Sequence, residues 1–188
     1  MHELHSLATR QDGYFTAEQA GELGFDSAMA RVNLATNTWT RVERNLFRLG
    51  QWPHSELEVF AMWCAWFGGE AVISHQSAAE LHGFGHLHPQ FVHVCAFGDL
   101  RLTDTRLAVH RLRLEPRDVE SAGTFNLTTP VRTVLDLAAG GISQITLDEV
   151  VCDAVAIGRV DPQALYSEAG NSTDRVAERV ELALSACT

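Results

Sequence analysis

Residues 16–49 read TAEQAGELGFDSAMARVNLATNTWTRVERNLFRL, and this stretch decides how the first part of the chain folds. Thr16 is placed to N-cap a helix. Gln19 completes a capping box, and Phe15 stands where a hydrophobic staple belongs. Ala17, Ala20 and Leu23 form one apolar stripe, and Gly24 suits the left-handed residue that ends such a helix. After the short turn Gly24-Phe25-Asp26, Asp26 caps a second helix running from Ser27 to about Thr36, anchored by Phe25, Met29 and Val32. Trp39–Val42 and Leu46–Leu49 are β-rich runs flanking Glu43-Arg44-Asn45. Asn45 tolerates positive φ, which predicts a hairpin with a bulge. Helix, tight turn, helix and hairpin make a winged helix-turn-helix, whose second helix enters a DNA major groove while its wing meets the backbone.

Charge supports that reading locally. Residues 27–50 hold Arg31, Arg41, Arg44 and Arg48 against Glu43 alone, a balance of +3, while the rest of the chain carries −13, for a net charge of −10. An acidic protein with one basic window approaches a polyanion by that window. The expected DNA contacts are Ser27, Arg31, Asn33, Arg41, Arg44 and Arg48. Arg44 at the hairpin tip should meet phosphate, Arg31 and Asn33 should meet base edges, and the N–H groups at the start of the second helix are expected to face a phosphate. The helix is otherwise uncharged, so base readout is sparse and leans on DNA shape. The plainer alternative is that these arginines only solvate a small hairpin.

A chain of 188 residues with 46% apolar content has room for one full core, or a small domain beside a larger one. No apolar run reaches the roughly 20 residues of a membrane span. The opening Met-His-Glu-Leu-His-Ser lacks the basic and then apolar regions of a secretory leader, so a cytoplasmic protein is expected. Cys64, Cys95, Cys152 and Cys187 are scattered with no Cys-x-x-Cys, and they read as reduced thiols. Every basic residue is arginine; there is no lysine.

Leu4, Leu7 and Ala8 predict a helix ahead of the motif, so residues 1–50 form the winged helix-turn-helix domain. Gly50–His54 is a short Pro-containing connector. Residues 51–188 form a mixed α+β domain, making the whole chain α+β. Ser55 and Glu58 suggest a capping box for a helix from Glu56 to about Phe67 that is apolar on every face, hence buried. Ala71–Ile73 reads as a short strand, with Ser74 capping a helix that stops at Gly83. Phe91–Phe97 is a buried strand, and Leu107–Leu112 its partner across a loop holding Gly98, Asp99, Arg101 and Arg106; Phe125–Thr128 is a third strand. Thr129-Pro130 starts a helix, Thr146 and Glu149 suggest a capping box for the next, Asp161-Pro162 opens a third, and Val176, Val180, Ala183 and Leu184 stripe the last.

Catalytic signatures are missing: there is no Gly-x-Ser-x-Gly, no phosphate loop and no dinucleotide fingerprint. His75, His82, His86, His88 and His93 crowd together in sequence, but not at the short paired spacings of zinc ligands, so no metal and no cofactor is expected. Arg132 and Asp136 stand i, i+4 and read as an ion pair orienting their helix.

Three segments in order carry a resemblance. Gln11–Thr16 followed by the short second helix and Arg41-Val42-x-x-x-Leu46-Phe47-Arg48-Leu49 is the first. Ile73-Ser74-His75-Gln76-Ser77-Ala78-Ala79-x-Leu81-His82-Gly83 is the second, and Leu127–Ala138 the third. Together they resemble AbiEi-family antitoxins of type IV toxin–antitoxin systems, in which glycines often stand where this chain has Asn37 and Asn45. The resemblance implies a winged-helix domain that binds double-stranded DNA at the operator of its own operon and represses it. It also implies a C-terminal domain that counters a nucleotidyltransferase-like toxin without a stable complex. The alternatives from other classes are a nucleic-acid or nucleotide-processing enzyme in the C-terminal domain, using the histidines or Arg132 and Asp136, and a protein-interaction module.

Overall fold

The computed structural model describes residues 2–96 and 104–187, which form a mixed α+β protein of two compact units. One comprises residues 1–72 with 121–126, the other 73–120 with 127–188. Phe97 and the loop residues Gly98, Asp99 and Arg101 lie outside the described residues. Among those described, no helix is long and apolar enough to cross a membrane.

The first unit begins α1 (His2–Thr9), β1 (Tyr14–Thr16), α2 (Ala17–Glu22), α3 (Ser27–Ala35), β2 (Trp39–Glu43), β3 (Leu46–Leu49). The three strands form an antiparallel sheet in the order β1-β3-β2. The local signals do their expected work. Thr16 Oγ1 accepts from Gln19 N–H while the Gln19 side chain accepts from Thr16 N–H, and Gly24 follows α2 with φ of 85°. Asn45 takes φ of 67° in a turn of just Arg44 and Asn45, and the bulge falls between Arg41 and Glu43. Asn37 is left-handed too, at 56°.

An aromatic cluster closes this unit. Trp39 meets Phe15 edge-on at 4.9 Å and lies 5.3 Å from Phe25 and 5.8 Å from Phe47, with Leu4, Ala8 and Ala20 around them. Ring pairs in such geometry add to the transfer energy of the buried carbon.

The unit also takes in the connector and α4 (Glu58–Trp66), extending past the boundary expected at Gly50. The Asp12 carboxylate accepts from Trp52 Nε1 at 3.0 Å and from Ser55 Oγ at 2.6 Å. With Ser55 so engaged, and Glu58 drawn to Arg48 and His54, the expected capping box does not form and α4 starts later, at Glu58. Nor is α4 buried on every face: Ala61, Trp63, Cys64 and Ala65 are inside, whereas Leu57 and Val59 are exposed.

The second unit holds most of a sheet ordered β6-β5-β4-β8-β7, with Val72, Ser121 and Asn126 at the strand ends counted in the first. Its elements are β4 (Val72–Ile73), α5 (His75–His82), β5 (Val92–Cys95), β6 (Leu107–His110), a 3-10 turn (Pro116–Asp118), β7 (Val119–Ser121) and β8 (Asn126–Thr128). Four helices follow: α6 (Pro130–Ala139), α7 (Gln144–Ala156), α8 (Pro162–Gly170) and α9 (Asp174–Ala186). β5 and β6 pair in parallel. Leu137, Leu147, Val150, Val151, Leu165, Val176 and Val180 form the helical core. α7 is capped by Ser143, whose Oγ accepts from Thr146 N–H, one turn ahead of the expected start. Arg179 of α9 donates to the carbonyls of Ala138, Gly140 and Ile142, bracing the α6–α7 loop.

Cys152 on α7 and Cys187 at the end of α9 form a disulfide, correcting the expectation of four reduced thiols; Cys64 and Cys95 are buried thiols. Sequence cannot reveal the pair, because it depends on how two helices cross. The bond closes a 35-residue separation, and chain entropy alone assigns it about 3–4 kcal/mol. Reducing the protein, or Cys187→Ser, is expected to lower the urea midpoint by a matching amount. Oxidised and reduced samples of the wild type, unfolded in parallel, check this.

Candidate functional site

The residues expected to contact DNA all lie on α3 and the β2–β3 hairpin. Asp26 caps α3, its Oδ1 accepting from the N–H groups of Ala28 (2.9 Å) and Met29 (2.8 Å). Those donors are therefore taken, and by a carboxylate. The helix start does not offer them to a phosphate, contrary to expectation.

The core-facing stripe of α3 also differs from the expected one. Ala30 and Leu34 pack on the aromatic cluster, while Met29 and Val32 are 46% and 61% exposed. Periodicity misplaces the stripe because two large apolar side chains at i, i+3 outrank the smaller pair at i, i+4. α3 consequently buries none of its residues completely, and its outer face carries Ser27, Ala28, Arg31 and Val32.

The six candidate residues separate. Ser27, Arg31, Arg41 and Arg44 are exposed. Arg31 spends Nε on the Ser27 carbonyl at 3.2 Å, one of its five donors. The Arg41 guanidinium lies 5.5 Å from the Phe47 ring centroid, a contact that steadies it without burying it. Asn33 is half-buried and turns its amide back to the Met29 carbonyl at 2.9 Å. Arg48 leaves the set. It is 8% exposed, pairs with Glu58 at 2.9 Å, donates to the Pro53 carbonyl and covers the Tyr14 ring. It is a structural cation fixing β3 to α4. In the β2–β3 register Arg41 pairs with Phe47 and Arg48 with Thr40, so the two arginines lie on opposite faces of the sheet, and Arg48 is on the face that carries Glu58 and Tyr14 against it.

The second unit holds a buried polar cluster that the histidine spacing does not foretell. His75 opens α5 with φ of 50°, a costly value for a residue with a Cβ. Its ring stacks on His110 at 3.5 Å, and His110 Nε2 lies 3.0 Å from His93 Nδ1. Cys95 and His110 are the last residues of the parallel strands β5 and β6 and face each other in register. Asp136 of α6 completes the group. One ring nitrogen of His75, Cys95 Sγ and a carboxylate oxygen of Asp136 all lie within 4.8 Å of one another. His82 is elsewhere, bonded to the Thr128 carbonyl, and His86 and His88 are exposed. Sequence reasoning missed Cys95, His110 and the membership of Asp136. The only signal is that polar residues interrupt otherwise apolar segments.

Burial dominates the chemistry here. It lowers the His75 pKa to about 3, assisted by His110, His93 and Arg132, and lowers that of His93 to about 4. It pushes the Cys95 thiol up to about 11, against a hydrogen bond with Ser74. It raises Asp136 to about 6, although Arg132 Nε donates to Oδ1 at 2.8 Å and opposes the shift. The i, i+4 pair of Arg132 and Asp136 exists as expected, with Asp118 as a third member at 2.9 Å from Arg132 Nη1.

Residues 70–185 match the family model described as the AbiEi antitoxin C-terminal domain. Among solved structures, the crystal structure of the RV2827C protein from Mycobacterium tuberculosis is similar, with a TM-score of 0.60 at 15% identity over 98% of this chain and 75% of that one. At that identity the likeness concerns the fold alone. No curated protein matches the chain.

Arg48→Ala should cost about 2–3 kcal/mol of stability, moderated because Glu58 keeps part of its hydration. It should leave the salt dependence of any DNA binding by the folded protein unchanged. Urea unfolding and binding titrations on the same variant check both halves.

Proposed function

Because the chain belongs to the AbiEi antitoxin family, we propose that it is an antitoxin that also represses its own operon, through a winged helix-turn-helix formed by α1 to β3. The observation that carries this is the outward face of α3 beside the exposed hairpin arginines. A helix that keeps Met29, Arg31 and Val32 in water at the expense of core packing has a use for them outside. Arg31 presents unspent donors suited to guanine, and Val32 and Met29 suit thymine methyl groups. Arg44 at the turn and Arg41 beside it serve phosphates. Ser27, at the first position of α3, adds a hydroxyl for backbone or base. With Asn33 tied to its own helix and Arg48 inside, direct readout rests chiefly on Arg31 and apolar contact.

The remainder of the proposal follows the family. The C-terminal domain counters a nucleotidyltransferase-like toxin without a stable complex, and the protein acts in the cytoplasm, with double-stranded operator DNA as its lasting partner.

Binding of the full chain to its own upstream region, titrated at several salt concentrations, tests the reading. Each phosphate contact contributes about −0.9 to the slope of log K against log salt. Arg44→Ala is expected to weaken binding on every sequence and reduce that slope by about one, whereas Arg31→Ala costs about 1–3 kcal/mol on the operator and relaxes specificity. Absence of binding at low salt, or two variants indistinguishable from wild type, refutes it.

A further inference from the structure

Among the described residues, nothing satisfies one buried oxygen of Asp136. Oδ1 accepts from Arg132, but Oδ2 has no hydrogen-bond partner although the side chain is only 5% exposed. Buried polar atoms are nearly always paired, and an orphan of this kind points to a missing ligand. We propose that His75, Cys95 and Asp136 bind one thiophilic divalent metal ion, zinc above all, with its fourth position open to water.

The donor set selects the metal. One imidazole, one thiolate and one carboxylate suit zinc, whereas magnesium and calcium take oxygen ligands. On a tetrahedral zinc, neighbouring ligand atoms stand about 3.5 Å apart. The three candidate atoms lie within 4.8 Å, so closing on an ion takes side-chain movement of about an ångström. Binding converts the Cys95 thiol to thiolate and releases that proton to solvent, uses His75 in the neutral form its burial already enforces, and gives Oδ2 of Asp136 its partner. Two ligand charges then balance the ion, while Asp118 balances Arg132.

An outer layer is in place as well. Arg132 fixes the carboxylate through Oδ1; Ser74 Oγ lies 3.0 Å from His75 Nδ1 and bonds Cys95; His110 stacks on the His75 ring. The site sits where the parallel strands β5 and β6 end, the usual place for a ligand beside a parallel sheet. Asp136 also lines a surface pocket of about 370 Å³ with Arg132 and Asp118; His75 and Cys95 do not line it. The proposal runs against the metal-free expectation drawn from histidine spacing, since its ligands come from three separate elements.

The test uses the full chain, stripped with chelator and re-equilibrated with zinc, and in parallel with cobalt(II). The expected result is one zinc per chain by elemental analysis, and a thiolate-to-cobalt charge-transfer band that Cys95→Ser abolishes and Cys64→Ser retains. Asp136→Asn should weaken zinc binding by more than the roughly 10–100-fold that loss of an outer partner costs. His86→Ala/His88→Ala, altering exposed histidines only, should change nothing. Wild type that takes up no zinc overturns the proposal without reference to any variant's folding. So does zinc uptake that follows His86 and His88, or cobalt uptake with no thiolate band.

Discussion

A carboxylate held out of water constrains the second unit. Asp136 is on α6, its cationic partner Arg132 is one turn earlier, and Arg132 reaches Asp118 in the 3-10 turn ahead of β7. The Thr129 N–H that begins α6 donates to the Asp118 carbonyl at 2.9 Å, so one small loop meets the helix through both backbone and side chain. Removing the guanidinium would leave Asp136 buried beside a thiol and an imidazole with no compensating charge, which is far costlier than losing an exposed pair. The start of α6 and the 3-10 turn are thus tied to one electrostatic requirement.

The first unit was legible where its structure depends on neighbours in sequence. A capping box, a left-handed glycine, an aspartate cap and an asparagine turn each involve residues a few positions apart, and each appears where expected. Reading failed where a distant partner competed. Ser55 could cap α4 or bond Asp12, and the carboxylate won. Arg48 belongs to a basic run in sequence, yet Glu58, Tyr14 and Pro53 surround it in space. The rotation of α3 was misjudged because periodicity weighs hydrophobic size, whereas Ala30 and Leu34 are the residues that pack on the aromatic cluster.

The candidate site of the second unit was less legible still. His75, Cys95 and Asp136 belong to a helix start, a strand end and a helix interior, and their meeting depends on strand order. The Cys152–Cys187 bond likewise joins two helices whose packing no local pattern encodes. By contrast, the segments Ile73–Gly83 and Leu127–Ala138, which carry the family resemblance, contribute His75 and Asp136 themselves.

The exposed cations of α3 and the hairpin are all guanidinium groups, in a chain with no lysine. An arginine stays protonated at any physiological pH, and acylation of lysine amines, the common way of erasing positive charge, has no substrate here. Methylation would change which hydrogen bonds Arg31 can make while leaving its charge intact. Lysine acylation therefore cannot neutralise this face, whereas a competing polyanion, ionic strength or a phosphate added to an exposed hydroxyl such as that of Ser27 can offset its charge.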